Sequence, residues 1–432
     1  MNLNSQHSLG KLMHRALLSF MLLACVPAAQ AGMQSAKVIS EPSGYGQRYS
    51  RVIIRYDELL NAEYLPNLSA FTLKDHQIER ISLGKCVDNR KICRSHELVL
   101  HLAIPDPNDR YLKVTMQPAP RTAALERQPQ FQIIQTENIY AEQQNSIIEI
   151  APQQIETQTV SHQIAEQFEQ REFHDKSGVK IRYNLFVPQN YDPQKNYPLV
   201  MFIHDAEATN SNVRNTLWQG NGATTWADPI WQNEHPAFVL APQFDHPIVN
   251  DNADYPTDLD PTLNLIKSLM AEYSIDENRL YTTGQSDGAM MSIAMNIKYP
   301  DFFAASYIVA GQWAAEKVAP MARTHQFILV SEDDPKAFPE QNKIIEELAL
   351  NGAIVQKAIL PNGNADLSQI NQEVEQLLAR EGNIYYMTVK SQTLPDQAQA
   401  NAKSLTGAHI ATWKIAYDIK TIKEWLFQQN KR

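Results

Sequence analysis

A glycine-x-serine-x-glycine pentapeptide spans residues 284–288, within the stretch LYTTGQSDGAM. A serine hydroxyl is a weak nucleophile and attacks a carbonyl carbon only when a nearby base takes its proton. The pentapeptide alone is a weak signal. It becomes informative when a strand precedes it, a helix follows it, and an acid and a histidine come later in the chain. Ser286 is therefore a candidate nucleophile.

Two downstream residues complete a possible catalytic set. Asp334 follows the strand-like run 326–331, with Asp333 as the alternative acid, and His409 directly precedes the last helical stretch. Each has another interpretation, because Ser286 could belong to an ordinary turn, Asp334 to a helix start and His409 to a helix cap. Their order along the chain is that of α/β-hydrolases, which favours a serine–aspartate–histidine triad.

The elements around these residues predict an α/β fold. Apolar runs of strand length alternate with stretches of helical pattern, and such strands are typical of a mostly parallel sheet covered on both faces. The predicted strands are 199–203, 237–241, 279–283, 305–310 and 326–331, and the predicted helices are Asp258–Tyr273, Ala289–Tyr299, Pro339–Asn351 and Ile410–Gln429. Ligands bind beyond the carboxyl ends of parallel strands, which is where the candidates lie.

The N-terminal part of the chain has a different pattern. Residues 32–140 contain short alternating runs separated by polar turns, which predict a small β-sandwich. A Gln-rich segment, 141–168, is interpreted as a linker, with an edge strand and short helix as the alternative. The α/β domain is predicted to occupy residues 169–432, beginning with a hairpin that turns at 175–178.

Residues 1–31 resemble an export signal. A basic start is followed by the apolar run ALLSFMLLACVPAA and the sequence AQA, which ends at Ala31. This predicts a periplasmic or secreted protein cleaved after Ala31, without a membrane span. The sequence LLAC also permits lipidation at Cys25, although AQA is the better cleavage site. In an oxidising compartment, Cys86 and Cys93 are expected to form a disulfide that closes a short loop.

Charge and residue spacing argue against nucleic acid as a partner and against a bound metal or organic cofactor. The formal net charge of −10 argues against nucleic acid as the main partner. Because His, Cys and carboxylate residues do not cluster at ligand spacing, neither a metal nor an organic cofactor is expected.

Several blocks of the C-terminal part resemble a known family. They include YNLFVPQNYDPQKNYPLVMFIH, RLYTTGQSDGAMMSIAMNIKYPDFFAASYIVAGQW and HIATWKIAYDIKTIKEWLFQQ. These blocks resemble secreted α/β-hydrolase esterases of the prolyl-oligopeptidase-like and polyhydroxybutyrate-depolymerase-like group, and the N-terminal part resembles the immunoglobulin-like domain of some of them. The resemblance implies Ser286 as nucleophile, Asp334 as acid and His409 as base, with a carboxylic ester as substrate.

The predicted oxyanion hole departs from the family pattern. Relatives usually carry His-Gly after the third strand, whereas FIHDAEA places Asp205 there. The hole is expected to use the backbone N–H of Asp287 and that of Asp205 or Ala206. The Asp205 carboxylate would oppose an oxyanion unless it points away or is paired. The alternative is that it faces solvent or makes a loop hydrogen bond.

The long connection between Asp205 and Phe238 is interpreted as one wall of the substrate pocket. Tryptophans more often pack than bind, so a packing role is the alternative for each of them. The candidate pocket residues are Trp218, Trp226, Trp231, Gln285 and Trp313. Trp413, one turn into the last helix, is expected to support His409.

These inferences predict a hydrolase that cleaves small-molecule or polymer esters through an acyl-enzyme intermediate. Three alternatives stay open: a serine peptidase with the same triad, an esterase specialised for polyesters or phenolic esters, and a non-catalytic binding protein on a hydrolase scaffold.

Overall fold

The computed structural model describes residues 32–44, 46–84, 86, 93–103, 130–394 and 407–431. The predicted signal at residues 1–31, including Cys25, lies outside these ranges. Among the helices of the described residues, none is long and apolar enough to cross a membrane.

The N-terminal unit consists of two β-sheets that share one apolar core. Its strands are β1 (Met33–Ser43), β2 (Gly46–Asn61), β3 (Phe71–Leu73), β4 (Ile78–Leu83), β5 (Arg94–Leu102), β6 (Gln132–Gln135), β7 (Ile139–Gln143), β8 (Ser146–Ile150), β9 (Gln154–Glu156) and β10 (Thr159–His162). Seven strands form the larger sheet, ordered β10-β1-β2-β5-β4 with β7 between β2 and β8, and β3-β6-β9 form the smaller one. Buried side chains of both sheets, such as Ile54 and Ile133, belong to one core.

The segment predicted as a linker is part of this β unit, which corrects the prediction. Strands β8, β9 and β10 lie within 141–168 and pair with β7, β6 and β1, respectively. Most of their side chains are exposed or half-buried. These strands therefore lack the apolar alternation by which the other strands were recognised in the sequence, although their backbones are paired. A disulfide joins Cys86 and Cys93, as predicted.

The C-terminal unit is built on a nine-stranded sheet. Its strands are β11 (Glu169–His174), β12 (Lys180–Phe186), β13 (Tyr197–Ile203), β14 (Phe238–Gln243), β15 (Ile275–Gln285), β16 (Ala305–Val309), β17 (Gln326–Ser331), β18 (Val355–Leu360) and β19 (Ile384–Val389). The order is β11-β12-β14-β13-β15-β16-β17-β19-β18. The pairs β11–β12 and β12–β14 are antiparallel, and the remaining pairs are parallel.

Helices cover both faces of this sheet. Those in the described residues are α1 (Asn215–Trp218), α2 (Pro229–Glu234), α3 (Leu259–Glu272), α4 (Asp287–Lys298), α5 (Ala337–Leu350), α6 (Leu367–Leu378), α7 (Gly407–Ala416) and α8 (Lys420–Gln428). One core packs α3, α4 and α5 against the sheet, and a second packs α6, α7 and α8 against the opposite face. This is the predicted α/β-hydrolase architecture.

The last predicted helix, Ile410–Gln429, is divided into α7 and α8. The chain leaves helical geometry at Tyr417–Ile419, where Tyr417 and Ile419 are buried in the second core. The Asp418 carboxylate in this bend accepts a hydrogen bond from Asn221 Nδ2 at 2.6 Å. An apolar pattern alone predicts one helix, because it carries no information about this contact with a distant residue.

The two units meet beside helix α7. Gly44, in the turn between β1 and β2, lies so close to α7 that an added Cβ would come within 1.9 Å of the Lys414 carbonyl oxygen. Gln47 Nε2 donates to the Leu217 carbonyl oxygen at 3.4 Å. The β unit therefore contacts a helix whose first turn carries His409.

Candidate active site

Ser286 lies in a sharp turn between β15 and α4. Its backbone has φ 52° and ψ −119°, a conformation that costs energy for a non-glycine residue. The flanking glycines allow the turn to fit under β13: a Cβ on Gly284 would lie 2.8 Å from the Ile203 carbonyl oxygen, and one on Gly288 only 2.0 Å from it. The glycines are therefore required by close backbone packing, and the strained turn carries the serine at the carboxyl end of the sheet.

Three predicted residues are brought together here. His409 Nε2 lies 2.9 Å from Ser286 Oγ, and His409 Nδ1 lies 2.5 Å from Asp334 Oδ2. Because a carboxylate only accepts hydrogen bonds, Nδ1 carries the proton and Nε2 is free to accept from the serine hydroxyl. The geometry is that of a nucleophile, a base and a group that orients the base.

The Asp334 side chain is held in place by the start of α5. It is only 1% exposed, and its Oδ1 accepts hydrogen bonds from the backbone N–H of Lys336 at 3.1 Å and Ala337 at 2.8 Å. Asp333 has different partners, the Ser391 hydroxyl at 2.5 Å and the Gln392 N–H at 2.6 Å. Of the two neighbouring acids, Asp334 is thus the one that contacts the imidazole.

His409 is supported from within its own helix. Its ring makes an edge-on contact with the Trp413 indole, with centroids 5.0 Å apart. The four-residue spacing places the two side chains on one face of α7. This is the supporting contact expected for Trp413.

Two backbone N–H groups form a candidate oxyanion hole. Within the described residues, the N–H groups of Asp287 and Ala206 have no backbone or side-chain acceptor. The Asp205 carbonyl oxygen accepts from His204 Nδ1 at 2.8 Å and from the Ala208 N–H at 3.2 Å. In a trans peptide the N–H points opposite to the C=O, so Ala206 N–H points away from the His204 ring.

His204 is neutral and rigidly held. It is fully buried, and burial lowers its pKa to about 4. Its Nδ1 donates to the Asp205 carbonyl, while its Nε2 accepts from the Phe244 N–H at 3.0 Å. One tautomer satisfies both contacts, and the imidazole fixes the orientation of the Asp205–Ala206 peptide.

The Asp205 side chain is buried and fully hydrogen-bonded. It is 1% exposed, so it does not face solvent. Its Oδ1 accepts from the N–H of Glu207 at 2.9 Å and of Ala208 at 3.2 Å. Its Oδ2 accepts from Gln285 Nε2 at 2.8 Å. Gln285, predicted to line the pocket, is instead buried with its amide directed at Asp205.

Asp287 adds a titrating carboxyl beside the serine. Burial and the nearby Asp205 carboxylate raise the pKa of Asp287 to about 6, against the opposing effect of Lys336. Lys336 Nζ forms an ion pair with Asp251 at 2.5 Å, and Gln312 Nε2 donates to the same carboxylate at 3.3 Å. The sequence analysis did not name Asp251, Gln312 or Lys336 as candidate site residues, although each follows the carboxyl end of a strand.

Two of the predicted pocket tryptophans are core residues, which corrects the prediction. Trp226 is 0% exposed and Trp231 is 4% exposed, and both contact Phe427 of α8 at centroid distances of 5.7 and 5.2 Å. Lys423 Nζ lies 4.6 Å from the Trp231 ring. Aromatic side chains of this size contribute most when their area is buried, and here α8 buries them.

Trp218 and Trp313 are buried as well. Trp218 is 8% exposed and lies 5.7 Å from the His162 ring of the β unit, and Trp313 is 3% exposed within the first core. Neither indole N–H has a hydrogen-bond partner among the described residues. Trp218 packs where the two units meet, and Trp313 packs in the core that holds α3, α4 and α5.

Within the described part of the chain, no group of three or more His, Cys, Asp or Glu side chains is arranged to hold a metal ion.

Comparison with known proteins supports the fold and gives local sequence similarity. No model of a known protein family matches the chain. Poly(3-hydroxyalkanoate) depolymerase C of Paucimonas lemoignei is 29% identical over 127 residues, which is 27% of this chain and 28% of that protein. Acetylxylan esterase A of Aspergillus ficuum is 40% identical over 48 residues, 11% of this chain and 16% of that protein. The chain thus spans less than a third of either curated relative.

One solved structure matches over most of the chain. The structure described as a thermostable esterase has a TM-score of 0.73 at 23% sequence identity and covers 92% of this chain and 100% of its own. At this identity the similarity establishes the α/β-hydrolase fold.

Proposed function

We propose that the protein is a serine hydrolase that cleaves carboxylic esters, with Ser286 as nucleophile, His409 as base and Asp334 as the acid of the triad. The observation that carries the proposal is the continuous hydrogen-bond chain from Ser286 Oγ through His409 to Asp334. It joins three residues that are widely separated in sequence, at the carboxyl end of a parallel sheet.

The acylation step follows from this chain of contacts. His409 Nε2 takes the proton of Ser286 as Oγ attacks the ester carbonyl carbon, and the carbonyl oxygen becomes an oxyanion. The N–H groups of Asp287 and Ala206 donate to that oxygen, which is worth about 3–4 kcal/mol per donor in comparable sites. Asp334 stabilises the imidazolium that forms.

Collapse of the tetrahedral intermediate completes the first half of the reaction. His409 gives its proton to the leaving alcohol, and the acyl group stays on Ser286. Water then attacks the acyl-enzyme, with His409 again as base, and releases the acid and the free serine.

Esters of polymeric substrates are the proposed substrate class. Local similarity to a poly(3-hydroxyalkanoate) depolymerase and an acetylxylan esterase supports this class over peptides. We also propose that residues 1–31 direct export and that the β unit is immunoglobulin-like. The Cys86–Cys93 disulfide is compatible with an oxidising compartment, and the β unit has two sheets around one core.

The test is hydrolysis of p-nitrophenyl esters of increasing acyl length by the chain from Gly32 onward, compared with Ser286→Ala. We expect turnover in the first and loss of turnover in a folded variant. Equal rates in both proteins would refute the nucleophile assignment. A short peptide p-nitroanilide, assayed in parallel, separates an esterase from a peptidase.

A further inference from the structure

The Asp205 carboxylate is an unusual group to bury beside an oxyanion hole. An ionised carboxylate removed from water is costly unless hydrogen bonds replace its hydration. Both of its oxygens are engaged here, one by the N–H groups of Glu207 and Ala208 and the other by Gln285 Nε2. These hydrogen bonds replace part of the hydration that the carboxylate loses on burial.

Asp205 and Gln285, which hydrogen-bond to each other, are close in sequence to the two candidate oxyanion donors. Asp205 directly precedes Ala206, and Gln285 is two residues before Asp287 in the turn that carries Ser286. The Ala206 N–H lies in the segment after β13, and the Asp287 N–H lies at the start of α4, which follows β15. Strands β13 and β15 are neighbours in the sheet. The Gln285–Asp205 hydrogen bond therefore links the end of β15 to the segment after β13.

Asp205 also shapes its own loop. Its carboxylate caps the short helical turn Ala206–Ala208, and its carbonyl oxygen is held by His204. The orientation of the Asp205–Ala206 peptide is therefore fixed from both sides. Oxyanion holes stabilise charge effectively when their donors are preorganised, because no reorientation is then needed during the reaction.

From this geometry we propose that Asp205 and Gln285 form a positioning pair that sets the placement of the Ala206 N–H relative to the Asp287 N–H. This inference rests on the proposed ester hydrolysis. Neither side chain touches the reacting atoms. The pair acts through the two backbone donors. From sequence alone, the Asp205 carboxylate is expected to repel the oxyanion; in this proposal it keeps the two donors in position.

The main test compares Gln285→Met, which keeps the length of the side chain but removes the donor, with Gln326→Met. Gln326 is a buried glutamine at the start of β17 whose amide donates to Thr324. We expect kcat of Gln285→Met to fall by about 10- to 100-fold, within the cost of weakening one oxyanion donor, with KM within about threefold. Gln326→Met should retain the kcat of the parent chain.

A second pair of variants separates positioning from general damage. Asp205→Asn keeps a side-chain oxygen that accepts from the Glu207 and Ala208 N–H groups. Its side-chain N–H can donate to the Gln285 amide oxygen once that amide turns over. Asp205→Ala loses these three contacts. We therefore expect Asp205→Asn to recover at least about tenfold of the kcat lost in Asp205→Ala. The double variant Asp205→Ala with Gln285→Met should be no slower than the slower single variant, as for residues that act as one unit.

The readout specific to the oxyanion hole is the affinity of a trifluoromethyl ketone, which forms a tetrahedral adduct with the serine. Its affinity should fall in Gln285→Met by the same factor as kcat/KM. Unchanged kcat in Gln285→Met, a change confined to KM, or a faster Asp205→Ala would each overturn the positioning role. If Gln285→Met does not fold, the Asp205 pair decides the question. Failure of the proposed function itself is distinct, because Ser286→Ala would then hydrolyse esters as fast as the parent chain.

Discussion

Asp333 and Asp334 are adjacent in the chain, yet their carboxylates bind different parts of the protein. Asp334 contacts His409 Nδ1 at 2.5 Å, and Asp333 accepts hydrogen bonds from Ser391 and Gln392. The chain therefore contains its own control for the role of the triad acid, with the same residue type one position away.

Asp334→Asn is expected to lower kcat by about 10³- to 10⁴-fold, because an amide no longer enforces the tautomer that frees His409 Nε2. Asp333→Asn should stay within about threefold of the parent chain. The measurement is steady-state hydrolysis of a p-nitrophenyl ester by both variants at several pH values. A larger loss in Asp333→Asn than in Asp334→Asn would reverse the assignment of the acid.

Trp231 tests whether the tryptophan-rich connection packs or binds. Trp231→Ala removes a buried indole between Phe427 and Lys423, and we expect the free energy of unfolding to fall by about 3–5 kcal/mol. Trp231→Phe keeps most of the buried area, so its relative rates across ester acyl lengths should match those of the parent chain. The measurements are urea denaturation for the first variant and the acyl-length profile for the second.

An altered acyl-length profile in Trp231→Phe, with stability preserved, would restore the interpretation of this residue as a pocket wall. Ile230 is a suitable control, since it is the neighbouring residue and is 76% exposed. Ile230→Ala should change neither stability nor the profile by a measurable amount.

The elements that carry the proposed triad could be predicted because their signals are local. Asp334 follows β17, which is buried and mostly apolar, as expected of a parallel strand covered on both faces. Ser286 follows the buried second half of β15. The two glycines around Ser286 are required by close backbone contacts with β13, and they form the short pattern that the sequence displays. Residue order then pointed to His409 as the candidate base.

The environment of the site could not be predicted, because it depends on contacts between distant parts of the chain. The burial of Trp226 and Trp231 is produced by Phe427, which follows them by about two hundred residues. The link between Asp205 and Gln285 joins the segment after β13 to the end of β15 and has no sequence pattern. Most side chains of strands β8, β9 and β10 are exposed or half-buried, so the apolar pattern that indicates a strand is weak there and the polar, Gln-rich composition did not reveal their backbone pairing.

The raised pKa of Asp287 leads us to expect that the free energy of unfolding depends on pH. Its pKa is raised from 3.8 to about 6 in the folded protein, so between these values the folded state binds more protons than the unfolded state. Stability is therefore lost as pH rises from about 4 to about 6, and the penalty persists above that range. Asp287→Asn removes it, which is worth at most about 3 kcal/mol.

The corresponding measurement is denaturant unfolding of the parent chain and Asp287→Asn at pH 4 and pH 8. The variant should gain stability relative to the parent mainly at pH 8. An equal difference at both pH values would mean that the carboxyl does not titrate in this range.

Gly44 tests whether the β unit supports the helix that carries His409. Gly44→Ala would place a Cβ 1.9 Å from the Lys414 carbonyl oxygen, so the turn or α7 must shift. We expect the free energy of unfolding to fall by about 1–3 kcal/mol and kcat to fall severalfold, because a shift of α7 moves His409 relative to Ser286. Gly220→Ala is the control, since its Cβ would lie 3.6 Å from Gly44 O, an ordinary contact. If Gly44→Ala is destabilised but keeps the kcat of the parent chain, the contact between the β unit and α7 contributes to stability and not to the placement of His409.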